Sequence, residues 1–181
     1  MSGPFDDDEA QDPEGEALEQ LSLAFVAALR AKDAGRVDTA EEGLRGIIAT
    51  EPRLAEPHME LGRLLLDTDR LTEAEDHARE ALAELEQTGP WTDEIPVDVV
   101  RALAHALLAE ILRRRADEDD VIFGDPGAFK ALVEESRGHF AKAAELDPSD
   151  EYASYHAFFL GARGHGARVD LGDGVVDDGD D

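Results

Sequence analysis

The side chains in this sequence that could do chemistry are six histidines, at positions 58, 77, 105, 139, 156 and 165, and 44 carboxylates. There is no cysteine, which excludes disulfides, thiolate metal sites, iron–sulfur clusters and thiol nucleophiles. A zinc-hydrolase helix needs two histidines flanking a glutamate in a His-Glu-x-x-His run, and His58-Met59-Glu60 lacks the second. The Gly-Lys-Ser/Thr ending of a phosphate loop does not occur, nor does a Gly-x-Ser-x-Gly elbow. Carboxylates are abundant, but a catalytic pair needs a pocket that pushes two pKa values apart, and no spacing singles one pair out. Asp117 to Asp120 read as a solvated insertion. Asp170, Asp173, Asp177 and Asp178 miss the spacing of a calcium loop, and no glutamate closes one. The expectation is a protein without catalytic residues, metal or cofactor.

The charge narrows the partners. Seventeen Lys and Arg against 44 Asp and Glu give a net charge of −27. A nucleic-acid binder needs a basic stripe to displace counterions, and anionic lipid needs clustered Lys or Arg, so neither partner is expected. No stretch reaches the roughly 18 apolar residues of a membrane helix. The first twenty residues lack the basic start and apolar middle of a secretory signal, so the cytoplasm is the expected compartment. Three lysines against fourteen arginines, with much Asp, Ala and Gly, suit a GC-rich, bacterial source.

The acid is unevenly spread. Residues 1–20 carry eight acids and no base, and residues 166–181 carry six Asp and one Arg, while 30 acids face 16 bases between them. Both ends have few large apolar groups to offset the entropy of ordering. Residues 1–20 and 163–181 are therefore expected to be acidic tails.

The elements that must position any site follow a period of 34. Asp33, Arg36, Ala40, Glu41, Arg45 and Ala49 match Asp67, Arg70, Ala74, Glu75, Arg79 and Ala83 in one register. A period of this size marks a stacked helical array. Each unit reads as two helices: 21–34 and 38–49 in the first, 57–68 and 72–85 in the second. Gly35 and Asp69 stand at the turn, where a left-handed conformation is needed. Asp38 and Thr72, three residues before Glu41 and Glu75, have capping-box spacing. Pro52 ends the first unit.

Residues 55–88 resemble a tetratricopeptide repeat. His58, Leu61, Gly62 and Leu65, then Ala74, Ala78 and Ala81, stand in that family's slots, with Glu86 replacing the terminal proline. Residues 21–54 match best in their second half, at Ala40, Leu44, Ile47 and Pro52, and Phe140, Ala143 and Pro148 mark a third unit. With Val97 as its first slot, that unit carries about 20 extra residues, partly in a loop at 116–127. The resemblance implies an all-α helical-hairpin solenoid over 21–162: units 21–54, 55–88 and 97–150, then a capping helix, 151–162. His58 and His77 are read as structural, since His58 fills an aromatic packing slot and His77 lies on a second helix.

What the resemblance implies for function is a concave groove, lined by first helices, that holds a peptide or amphipathic helix of another protein. Its register assigns Phe25 and Leu29 from the first unit, Met59, Arg63 and Leu66 from the second, and Arg101, His105 and Leu108 from the third. That is an apolar floor edged by arginine. Phe25 and Leu29 stand where some relatives carry the lysine and asparagine that clamp a chaperone's acidic C-terminus, so an apolar segment suits this groove better. Trp91 is expected to plug a gap between units. An interaction adaptor or scaffold is the leading reading; a small acidic secretion-type chaperone or a structural subunit of a larger assembly are the alternatives.

Overall fold

Two residues in the left-handed region set the repeat. Gly35 (φ 72°) and Asp69 (φ 61°) each reverse the chain between paired helices, as their 34-residue spacing predicts. The reversal is a Schellman closure. Arg36 N donates to Ala31 O at 2.9 Å and Gly35 N to Lys32 O at 2.9 Å; Arg70 N donates to Leu65 O at 2.9 Å and Asp69 N to Leu66 O at 3.2 Å.

The structure, a computed structural model, describes residues 13–92 and 95–164. The acidic stretch 1–12 and the Asp/Gly-rich stretch 165–181, with Asp170, Asp173, Asp177 and Asp178, lie outside the described residues, as do the side chains of Phe158 and Phe159. Among the described residues there are eight helices and no strand: α1 (Pro13–Asp33), α2 (Val37–Thr50), α3 (Ala55–Asp67), α4 (Leu71–Gln87), α5 (Val97–Ala116), α6 (Asp119–Ile122), α7 (Pro126–Leu146) and α8 (Glu151–Gly164). Helices α1 and α2, α3 and α4, and α5 and α7 pack as hairpins, and α8 packs on α7. The chain is an all-α helical-hairpin solenoid.

Three local expectations are corrected. Residues 13–20 are helical rather than part of a tail: Pro13 is the first residue of α1, and Glu16 lies in its first turn, at its positive end. Extending a nucleated helix also costs little per residue. Asp38 and Thr72 cap nothing: α2 and α4 start earlier, behind Arg36 and Arg70, with no side-chain cap bond. The Schellman closure already brings the chain straight into the next helix. Finally, the 116–127 segment is not all loop, since it holds the single turn α6 and the start of α7, where Asp125 accepts from Gly127 N at 2.9 Å.

Small residues let the paired helices approach. A Cβ added at Gly62 would lie 3.3 Å from Ala74 O and 3.4 Å from Leu107 Cδ2, and one at Gly43 would lie 3.1 Å from Ala28 Cβ. Around these contacts Leu44, Leu61, Leu65, Leu85, Leu108 and Leu112 form one buried core from α1 to α5. A second core joins α5, α7 and α8 through Ala109, Phe140, Ala143 and Ala153. Successive second helices are tied by charge: Arg70 and Arg45 each bridge Glu41 and Glu73, at 2.7 and 2.9 Å for Arg70 and 2.9 Å each for Arg45. Arg79 spans α4 and α7 in the same way, reaching Glu75 at 2.8 Å and Glu135 at 2.7 Å. Burial alone would raise the Glu75 pKa, but hydrogen bonds from Arg115 and Arg79 outweigh it and hold the carboxyl low.

Candidate functional site

The histidines fix the register of the third unit. Pro148 lies 96 residues after Pro52, so Ala40, Ala74 and Ser136 share one slot, and Gly43, His77 and His139 share another. On the facing helix, His58 Nδ1 lies 3.0 Å from His77 Nδ1, and His105 Nδ1 lies 2.8 Å from His139 Nδ1. His105 thus occupies the slot of His58. Leu108 and Leu112 then match the wholly buried Leu61 and Leu65, and Ala109 matches Gly62. Ala109 is also where Ser136 Oγ donates, to the backbone oxygen at 2.7 Å, just as Ala74 approaches Gly62. The first slot of the third unit is therefore Ala102. Its proline would fall 31 residues later, at 133, and falls 15 later still, not about 20.

This register separates the residues assigned from sequence. Of the eight residues assigned from sequence, Met59, Leu66 and Leu108 are buried in the main core and line no open surface. Arg101 turns to α4, donating to Leu85 O at 3.5 Å with Asp98 at 3.8 Å, and His105 turns to α7. Those two and Leu108 fall on the wrong faces because α5 begins five residues before the repeat slot does. Phe25 and Leu29 are half-buried on α1, and Arg63 is half-buried beside Glu60 at 3.5 Å. The three do not form one apolar floor.

The first-helix face that the structure does present has two unlike halves. At the α1–α3 end, Trp91 packs on Phe25 with ring centroids 5.7 Å apart, so it fills the gap between units. One carboxylate oxygen of Glu56 accepts from Trp91 N at 2.8 Å and Thr92 N at 3.2 Å, which fastens that segment to α3. Leu18, Leu54, Pro90 and Trp91, with Glu51 and Arg53, border a cleft of about 310 Å³ beside it. Below this, Lys32 bonds Glu60, which also meets Arg63, so the middle of the face is internally neutralised.

The other half is open and apolar. Leu103, Ala106, Glu110 and Arg113 fall on one face of α5 by helical spacing. Leu103 is 39 % exposed, and from α8 Tyr152 and Tyr155 are 50 % and 55 % exposed. Tyr152 OH donates to Glu110 at 2.8 Å, which ties α8 to α5, and Glu110 holds Arg113 at 2.7 Å. Burial pushes the Tyr152 hydroxyl pKa up, and its bond to Glu110 adds to that. Burial also acts to raise Glu110, but Arg113 and Tyr152 bond its charged form and hold it low. Sequence reasoning missed Leu103, Tyr152 and Tyr155; counting forward from Pro148 as from Pro52 would have put the two tyrosines in the second and fifth slots of a further first helix, whereas the inserted residues hide Leu103 from such a count.

Chemically, this surface can hold an extended or helical segment by apolar contact with a polar edge. Among the described residues no cluster of three or more His, Asp or Glu could hold a metal ion. No helix among them is long and apolar enough to cross a membrane.

Comparison with known proteins places the fold. An Arabidopsis OM64 TPR domain superimposes with a TM-score of 0.60 at 12 % identity, over 81 % of this chain and 98 % of that one. MamA from RS-1, as the ArsTM double mutant, gives a TM-score of 0.40 at 16 % identity, over 81 % and 85 %. No family model and no curated protein sequence matches the chain. The hairpin solenoid is that of a tetratricopeptide-like array.

Proposed function

We propose that this chain is a cytoplasmic protein-interaction module, with residues 21–162 as the working array and no catalytic step of its own. The observation that carries the reading is the exposed row of Leu103, Tyr152 and Tyr155, which two helices hold on one face. Apolar side chains fixed on a rigid scaffold and rimmed by Glu110 and Arg113 suit an apolar segment of another protein, extended or helical. The first-helix positions Leu29 and Arg63 would continue that track toward α1, in reduced form compared with the eight residues expected from sequence. The all-α tetratricopeptide-like fold supports the reading, because such arrays present an elongated face and enclose no reaction chamber.

A displayed library of random peptides, selected on the whole chain, tests this. Selected peptides should share spaced apolar residues. Leu103→Glu with Tyr155→Ala should weaken their binding at least tenfold while helical circular dichroism stays unchanged. Equal binding by the folded double variant would refute the assignment of this face.

A further inference from the structure

We infer that the second and third hairpins are closed by neutral histidine pairs that release together in mild acid. The inference is independent of what binds the first-helix face.

The geometry dictates the protonation. His58 Nε2 lies 3.0 Å from Pro52 O. A carbonyl only accepts, so Nε2 carries the proton and Nδ1 of the neutral ring is left as an acceptor. His77 Nδ1, 3.0 Å away, must then be the donor. In the third unit, Glu135 lies 4.0 Å from His139 Nε2 and favours a proton there, so His105 Nδ1 donates to His139 Nδ1 across 2.8 Å. Each pair is thus one N–H···N bond between a first and a second helix. A first proton enters at the free Nε2 of the donor ring, which keeps the bond but buries a charge between the two helices. A second, at the acceptor Nδ1, places two N–H groups face to face within 3.0 Å and turns the bond into a repulsion.

The surroundings set where this happens. Around His77 stand Arg45 from α2, His58 from α3, and Glu73 and Asp76 on its own helix. Around the other pair stand Arg79 from α4 and Lys142 and Glu135 from α7. Burial acts first against the charged form of His77, His105 and His139. His58 and Arg45 add to it at His77, His139 and Lys142 at His105, and Arg79 at His139, and these outweigh the nearby carboxylates. His105 is carried down to about 4. Because the folded values lie below the unfolded one, near 6.5, the unfolded or opened state binds protons first as pH falls. The stabilisation is complete above about 6.5 and is lost on the way down to about 4. Each such ring shifts the open-to-closed ratio by up to about tenfold per pH unit in that window. Two pairs in matching slots should respond over one range. The first unit supplies an internal control, since Ala24 and Gly43 fill the same slots there.

Long-range proton–nitrogen NMR of the full chain, with amide exchange at pH 7.5 and 5.0, tests the inference. At pH 7.5, His58 should be the Nε2–H tautomer and His77 the Nδ1–H tautomer. At pH 5.0, after correction for intrinsic exchange, protection in α3–α4 and α5–α7 should fall at least tenfold further than in α1–α2. The quadruple variant His58→Gln, His77→Gln, His105→Gln and His139→Gln, which has no ring to protonate at these slots, should keep its protection across that range. Titration of His77 and His105 near 6.5 with no differential loss of protection would overturn the inference, as would a folded quadruple variant as acid-sensitive as the parent. If the quadruple variant does not fold, the tautomers and exchange of the unaltered chain decide the question alone.

Discussion

Glu56→Ala should free the segment that carries Trp91 without unfolding the array. One oxygen of Glu56 accepts from two backbone N–H groups, at 2.8 and 3.2 Å, and these bonds hold residues 91 and 92 against α3. A hydrogen bond to a charged group contributes ~1.5–3 kcal/mol when well buried. Glu56 is half-buried and the longer bond is weak, so ~2 kcal/mol for both together is the working figure. That raises the opening constant of the segment about thirtyfold. Trp91 is the single tryptophan of the chain, so its emission reports this event alone. On opening it leaves Phe25, and its fluorescence should shift red and become more accessible to acrylamide. Far-ultraviolet circular dichroism should not change, because the buried core lies elsewhere, around Leu61 and Leu65. Glu56→Gln, which keeps a neutral acceptor, should give a smaller shift. Unchanged emission and quenching in Glu56→Ala would refute the fastening role, and equal shifts in the two variants would refute the part assigned to charge.

Leu61→Ala empties a wholly buried site between α3 and its neighbours, and should cost about 3–5 kcal/mol in urea unfolding. Ser136 sits in the close-approach slot of Ala40 and Ala74, so Ser136→Ala should cost no more than about 1 kcal/mol, since the Ala109 carbonyl it leaves belongs to a helix. Ser136→Leu should cost roughly 1–3 kcal/mol or more by overpacking in the same assay. Breaking the charge ring with Glu41→Gln should lower stability by less than about 1 kcal/mol, with the difference shrinking in high salt, because its arginines are substantially exposed.

How much of this was legible in the sequence depends on which interaction fixes each feature. The hairpin turns were legible because Gly35 and Asp69 answer a purely local demand for positive φ. So were the alanine slots, because close approach tolerates few residue types. The third unit was not, because helix start and repeat slot part company there: α5 begins at Val97, ahead of the contacts that define the repeat. Only the pairing of His105 with His139 and of Ser136 with Ala109 reveals where the slots fall, and both are tertiary contacts. The α5 residues assigned to the groove were displaced for the same reason. Arg101, His105 and Leu108 are correct positions of a wrong register, and a shift of five residues turns a helix through more than a full revolution. Met59 and Leu66 failed differently, since they follow the family's pattern but are buried in the core of this chain.

The two ends of the first-helix face differ because the chain continues differently from each. After α4 it makes a detour through Gly89 and Trp91 before α5, and that detour supplies a side chain to cover Phe25. At the other end Tyr152 and Tyr155 on α8 are half exposed, and Tyr152 is tied to Glu110 of α5. A ligand that uses the open half leaves Trp91 on Phe25, and its binding should not alter tryptophan emission. A ligand that uses Phe25 must first displace Trp91 and break the bonds to Glu56, at a cost of ~2 kcal/mol from the same hydrogen bonds. Its affinity should then rise about thirtyfold in Glu56→Ala, where that cost is absent. For peptides selected on the whole chain, the expected result is silent tryptophan emission and the same affinity in both proteins. A red shift on binding together with tighter binding to Glu56→Ala would move the interaction site to α1 and α3 and refute the α5–α8 assignment.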